Sequence, residues 1–74
     1  MDDYVRKITK VLSDSLGKYN VVARYNMVYE HFEIVIKNQF GLATYTVDRD
    51  LIEYDFDNAM EDILHDFRFG RTLK

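Results

Sequence analysis

The spacing of apolar residues changes twice along the chain, and these changes limit the fold more than any other feature of the sequence. Apolar residues recur every three or four positions over residues 3–16, every second position over much of 19–47, and again every three or four positions over 56–67. The outer patterns are typical of amphipathic helices, and the middle pattern is typical of half-buried strands. The sequence therefore predicts the order α-β-β-β-α.

The middle region predicts a three-stranded antiparallel meander. The first strand begins at Tyr19 and is expected to end in a hairpin turn within residues 26–30. The second covers residues 31–37, and the third covers 42–47 after a turn at 38–41. Three short strands with one apolar face need cover, so we expect the two helices to lie on that face. The fold class is α+β, in one domain over residues 1–74.

Residues 48–55 are predicted to form an irregular or single-turn connection before the last helix. Gly70 is predicted to end that helix and to be followed by a short basic tail. Four aromatic residues fall in loops or at the ends of elements and are predicted to be exposed, whereas the others lie on apolar faces and are predicted to pack in the core. The four are Tyr29, Phe40, Tyr54 and Phe69.

The residue types argue against an enzyme. The 74 residues include no Cys, which removes disulfides, thiolate ligands and thiol nucleophiles. His31 and His65 are predicted on different elements, and no Gly-rich phosphate loop or serine elbow is present. The acids after residue 48 do not fit the spacing of a calcium-binding EF-hand loop. We therefore predict no catalytic residues, no metal site and no cofactor.

No apolar run approaches the roughly 20 residues of a transmembrane helix. The first residues also lack the charge and apolar pattern of a signal peptide. The sequence therefore predicts a cytoplasmic protein without membrane contact.

The acidic residues are concentrated near the carboxyl end. Residues 48–66 hold eight Asp and Glu against a single cation, Arg49, a net charge of −7, whereas the rest of the chain carries +4. A concentrated acidic edge repels nucleic-acid phosphates and attracts cationic protein surfaces. The alternative is a solvated helix face that keeps the protein soluble.

From Phe32 to Asp50 the chain has an apolar strand, an Asn-containing turn and a second strand that runs into acids, and an acidic amphipathic helix follows. This layout resembles that of small phage-encoded inhibitor proteins, especially the anti-CRISPR proteins that block Cas9. The resemblance implies DNA mimicry, in which carboxylates occupy the cationic groove where the Cas protein reads duplex DNA. It nominates the acids as partner-binding residues, and exposed Tyr54 beside them suits a protein interface. The candidate residues are Asp48, Asp50, Glu53, Tyr54, Asp55, Asp57, Glu61, Asp62 and Asp66.

We therefore expect a phage or mobile-element accessory protein that inhibits a host nucleic-acid-binding or defence protein through this acidic, DNA-mimicking edge. The expected partner is a host protein with a cationic surface, such as a Cas nuclease, and not nucleic acid itself. The alternative is a homo-oligomeric module that sequesters a small molecule or has a structural role. The opposite charges of the two helices and the small core also predict self-association into a homodimer that salt weakens, in which the basic first helix, which carries Arg6, Lys7 and Lys10, meets the acidic last helix of a second copy.

Overall fold

A computed structural model describes residues 2–69 of the chain. The elements are α1 (Asp2–Ser15), β1 (Asn20–Asn26), β2 (His31–Asn38), β3 (Gly41–Asp48), α2 (Arg49–Tyr54) and α3 (Phe56–Phe69). The predicted α+β class and the order helix, three strands, helix are confirmed. The predicted helix end at Gly70 and the basic tail lie outside the described residues.

The three strands form one antiparallel sheet in the order β1-β2-β3, as predicted. Asn20 pairs with Lys37 at one end of the first ladder, and Asn26 pairs with His31 at the other. The second ladder runs without interruption from the pair of His31 and Asp48 to the pair of Asn38 and Gly41. Both β1 and β3 are therefore edge strands.

Asparagine side chains fix the starts of both hairpin turns. Oδ1 of Asn26 accepts hydrogen bonds from the backbone N–H groups of Val28 (2.9 Å) and Tyr29 (3.2 Å). Asn38 accepts one from the N–H of Phe40 at 2.8 Å. Such local side-chain bonds compete with strand pairing, so β1 ends at Asn26 and the apolar residues that follow lie in the turn.

The segment predicted as an irregular or single-turn connection is a short helix that extends beyond one turn. α2 has six residues, fewer than two turns, and the backbone N–H of Asp55 closes its last turn on the carbonyl of Leu51 at 2.9 Å. Ile52 is fully buried. A six-residue segment completes fewer than two helical turns, so it is too short to show an apolar period in the sequence.

The core lies between one face of the sheet and the helices. Phe32, Ile34 and Ile36 alternate along β2 and are fully buried, and they form one cluster with residues of all three helices. The helical members of the cluster are Ile8, Leu12, Ile52, Ala59, Met60 and Ile63. The opposite face of the sheet has no helix over it among residues 2–69. This agrees with the prediction that the helices cover only the apolar face.

The four aromatic residues predicted to be exposed are confirmed as such. Tyr29, Phe40, Tyr54 and Phe69 have between 71% and 86% of their surface exposed. The aromatic residues predicted in the core either belong to the buried cluster or pack against it.

Candidate functional site

Three carboxylates of the predicted acidic edge line one groove between β3 and α3. They are Asp48 at the end of β3 and, on α3, Asp62 and Asp66. We call this feature, with a volume of about 310 Å³, the acidic groove. Its other lining residues are Tyr45, Thr46, Val47, Leu51, Ala59 and Ile63.

The lining of the acidic groove is apolar at its base and acidic at its rim. Val47, Ala59 and Ile63 are buried members of the core cluster, whereas Asp48 and Asp62 are exposed. An apolar base with charged groups at the mouth suits a side chain that has a hydrocarbon stem and a charged end.

The helical period explains why α3 contributes only two of its four acids to this groove. Asp57 and Glu61 lie one turn apart, as do Asp62 and Asp66, but the two pairs are about 140° apart around the helix axis at 3.6 residues per turn. The first pair lies on the flank next to α1. On that flank Arg68, two turns after Glu61, donates a hydrogen bond to the carbonyl of Ser15 at 3.4 Å.

The remaining candidates lie on α2 and at its junction with α3. Asp50 is exposed in the first turn of α2, and Tyr54 is exposed in the last. Asp55 accepts a hydrogen bond from Nδ2 of Asn58 at 3.1 Å, and Glu53 accepts one from Nε of Arg49 at 3.2 Å. The nine predicted residues therefore divide among three places, and only Asp48, Asp62 and Asp66 share a groove.

Arg49, the single cation of the acidic segment, is engaged on the side of the β1–β2 hairpin. Its guanidinium lies 3.7 Å from a carboxylate oxygen of Glu30, and the backbone N–H of Arg49 donates a hydrogen bond to the backbone carbonyl of Glu30 at 3.1 Å. A hydrogen bond with Tyr25 and the nearby charge of Glu53 raise the pKa of Arg49. These contacts fix the start of α2 against the hairpin. The groups that bind the Arg49 guanidinium lie outside the acidic groove.

A polar network on the open face of the sheet was not predicted from the sequence. The carboxylate of Glu33 accepts hydrogen bonds from Arg24 (2.8 Å), Asn26 (3.1 Å) and His31 (3.0 Å). Bonds from His31, then Asn26 and Arg24, lower the pKa of Glu33 from 4.5 to about 2. The ring of exposed Tyr29 stacks on His31 with 5.7 Å between centroids.

Alternation places the four hydrogen-bonded residues of this network on one face of their own strands, but only the register of β1 against β2 brings them together. Within this network the charge of Glu33 is paired with Arg24. The network therefore orders the open face and leaves the acidic groove as the stronger candidate for binding a partner.

The two histidines of the chain lie in different surroundings. No three His, Asp or Glu side chains within residues 2–69 lie close enough together to hold a metal ion. His65 packs against the ring of Phe69 with 4.7 Å between centroids, and His31 belongs to the Glu33 network. No helix in the described part of the chain has the length and apolar character needed to cross a membrane.

Comparison with family models, with curated proteins and with solved structures finds no match for this chain. The structure therefore defines a small α+β domain with an acidic groove.

Proposed function

We propose that this protein binds a cationic surface of a partner protein through the acidic groove and acts by occupying that surface. The observation that carries the proposal is the position of Asp48, Asp62 and Asp66, which come from two elements and line one groove with an apolar base. Carboxylates at the rim of an apolar groove offer a binding site for a cationic side chain.

The chemistry of the groove fits an arginine or lysine side chain. The aliphatic stem would lie on the apolar base, and the charged end would lie among the carboxylates at the rim. Arginine fits better than lysine because its planar guanidinium donates several hydrogen bonds at once to carboxylate oxygens. Phosphate groups of a nucleic acid would be repelled by the same carboxylates.

The more specific proposal is that the partner is a host nucleic-acid-binding or defence protein, as in the anti-CRISPR proteins that the layout resembles. Arginine side chains that read a DNA recognition sequence are the groups a DNA mimic must occupy. The carboxylates outside the groove, from Asp50 to Glu61, would then add to the field that attracts a cationic partner, and the net charge of −7 over residues 48–66 supports that role.

A small cationic probe tests the groove independently of the partner. We expect N-acetylargininamide to shift the backbone NMR signals of Leu51 and Asp62 in ¹⁵N-labelled protein, because both residues line the groove. The neutral analogue N-acetylglutaminamide is the control. Equal shifts with both compounds, or shifts confined to Asp57 and Glu61, would contradict the proposed site.

Two neighbouring acids of α3 provide a matched pair for the partner. Asp62→Lys and Glu61→Lys make the same change of charge at adjacent, exposed positions, but only Asp62 lines the groove. We expect both variants to keep the wild-type free energy of unfolding within about 0.5 kcal/mol. In an assay of target-DNA binding by guide-loaded Cas9, Asp62→Lys should weaken inhibition by about 2 to 5 kcal/mol, roughly 30-fold or more, and Glu61→Lys much less.

Equal losses in the two variants would show that the total charge matters and the groove does not. Absence of inhibition by the wild-type protein would reject Cas9 as the partner.

A further inference from the structure

The outer edge of β3 lacks the features by which proteins usually prevent a further strand from pairing. Natural edge strands carry Lys, Pro, a β-bulge or an inward charge, or they are covered. Residues 41–48 contain no Lys, Arg or Pro, and β3 pairs with β2 over eight consecutive residues without a bulge. The other edge strand, β1, carries Arg24 near its centre.

The register of β3 shows which backbone groups face outward. Gln39 and Phe40 form a two-residue turn, and the hydrogen bond that closes such a turn joins Asn38 to Gly41. Hydrogen-bonded and non-hydrogen-bonded pairs alternate along an antiparallel ladder. The backbone N–H and C=O groups of Thr44 and Thr46 therefore point away from β2.

The acidic groove runs along this same edge. Four consecutive residues of β3, numbered 45–48, form one wall. The other wall comes from α3 residues at positions 59, 62, 63 and 66, which share one side of the helix. A strand added beside β3 would direct every second side chain towards this groove, because side chains alternate between the faces of a sheet.

We propose that β3 binds an extended basic segment of a partner protein by strand addition, with alternate arginine or lysine side chains in the acidic groove. This inference rests on the proposed function and adds backbone pairing to it. The negative charge of the acidic groove favours a basic partner segment over a second copy of this chain. A second copy of the chain paired through its own β3 would bring no cation, because β3 contains none, and would leave Asp62 without a counter-charge.

A pair of peptides separates strand addition from attraction between charges. The first is a capped seven-residue peptide in which threonine alternates with arginine (TRTRTRT). The second has the same sequence with N-methyl groups on the amides of one edge, so it keeps its charge but cannot pair along that edge. A third peptide carries N-methyl groups on the opposite edge. It is needed because the edge that pairs with β3 depends on whether the peptide binds parallel or antiparallel to β3.

Strand addition predicts that the unmethylated peptide shifts the NMR signals of Thr44, Thr46 and Asp62 and slows exchange of the outward amide hydrogens. Methylation of the pairing edge should weaken binding by about tenfold or more, because several backbone hydrogen bonds are lost. Methylation of the other edge should have little effect. Thr46→Pro, which removes one outward N–H, should also weaken binding, whereas Thr46→Val, which keeps it, should not.

Equal affinity for all three peptides would overturn strand addition, and the argininamide result would still report on the groove itself. Failure of both argininamide and the peptides would overturn the proposed function as well. The methylated peptides decide the question even where Thr46→Pro does not fold. Sedimentation of the wild-type protein with the peptide gives a further outcome, because assembly into a dimer through β3 would favour a second copy and contradict the proposal.

Discussion

Replacement of Ile52 by alanine is expected to lower the free energy of unfolding by about 2 to 5 kcal/mol. Ile52 is fully buried and is the only buried residue of α2. The change removes three carbon atoms from the core. At about 0.8 kcal/mol for each buried methylene, lost burial accounts for about 2.4 kcal/mol, and the cavity adds to it.

The size of this loss matters for a domain of 74 residues. At about 0.05 to 0.15 kcal/mol per residue, the whole fold is stable by roughly 4 to 11 kcal/mol. A loss of about 3 kcal/mol would lower the midpoint of thermal unfolding by about 12 to 24 °C. Because α2 also carries Leu51 to the acidic groove, weaker docking of α2 should disturb that groove.

Urea unfolding followed by circular dichroism measures this effect, and Leu51→Ala is the matched control. Leucine and isoleucine lose the same number of atoms, and the two positions are adjacent in α2, but Leu51 is 40% exposed. We expect Leu51→Ala to cost markedly less than Ile52→Ala. Equal losses, or a loss below about 1 kcal/mol for Ile52→Ala, would refute the conclusion that this side chain anchors α2 in the core.

Two further predictions concern pH and assembly. Because the pKa of Glu33 is lowered to about 2 in the fold, its contribution to stability should be present above pH 4.5 and be lost as the pH falls from 4.5 towards 2. Carboxyl NMR titration measures this pKa, and Glu33→Gln should lack that part of the pH dependence of unfolding; a Glu33 pKa near 4.5 would contradict the network. The charge pattern of the sequence predicts a salt-sensitive dimer, but Arg6 pairs with Asp3 (2.8 Å) and Lys10 with Asp14 (3.5 Å) within α1, so in sedimentation we expect a monomer at low and high ionic strength. A salt-sensitive dimer would favour the homo-oligomeric alternative.

The arrangement of helices and strands follows from local periods in the sequence. A half-buried strand must alternate and an amphipathic helix must repeat at about 3.6 residues, so each period reports which face of an element is buried. Phe32, Ile34 and Ile36 show this in β2, where all three are buried as their alternation predicts. The exposure of Tyr54 and Phe40 was predictable for a related reason, since neither residue continues the period of a neighbouring element.

Contacts between elements depended on the tertiary structure. The sequence placed nine candidate residues near one another along the chain, but the turn of α3 and its docking beside β3 brought only Asp48, Asp62 and Asp66 to one groove. The hydrogen bonds of Glu33 required the register of β1 on β2, and α2 required a buried site for Ile52. A period states which side of an element is buried, whereas strand register and helix docking decide which side chains meet, and those depend on packing between distant parts of the chain.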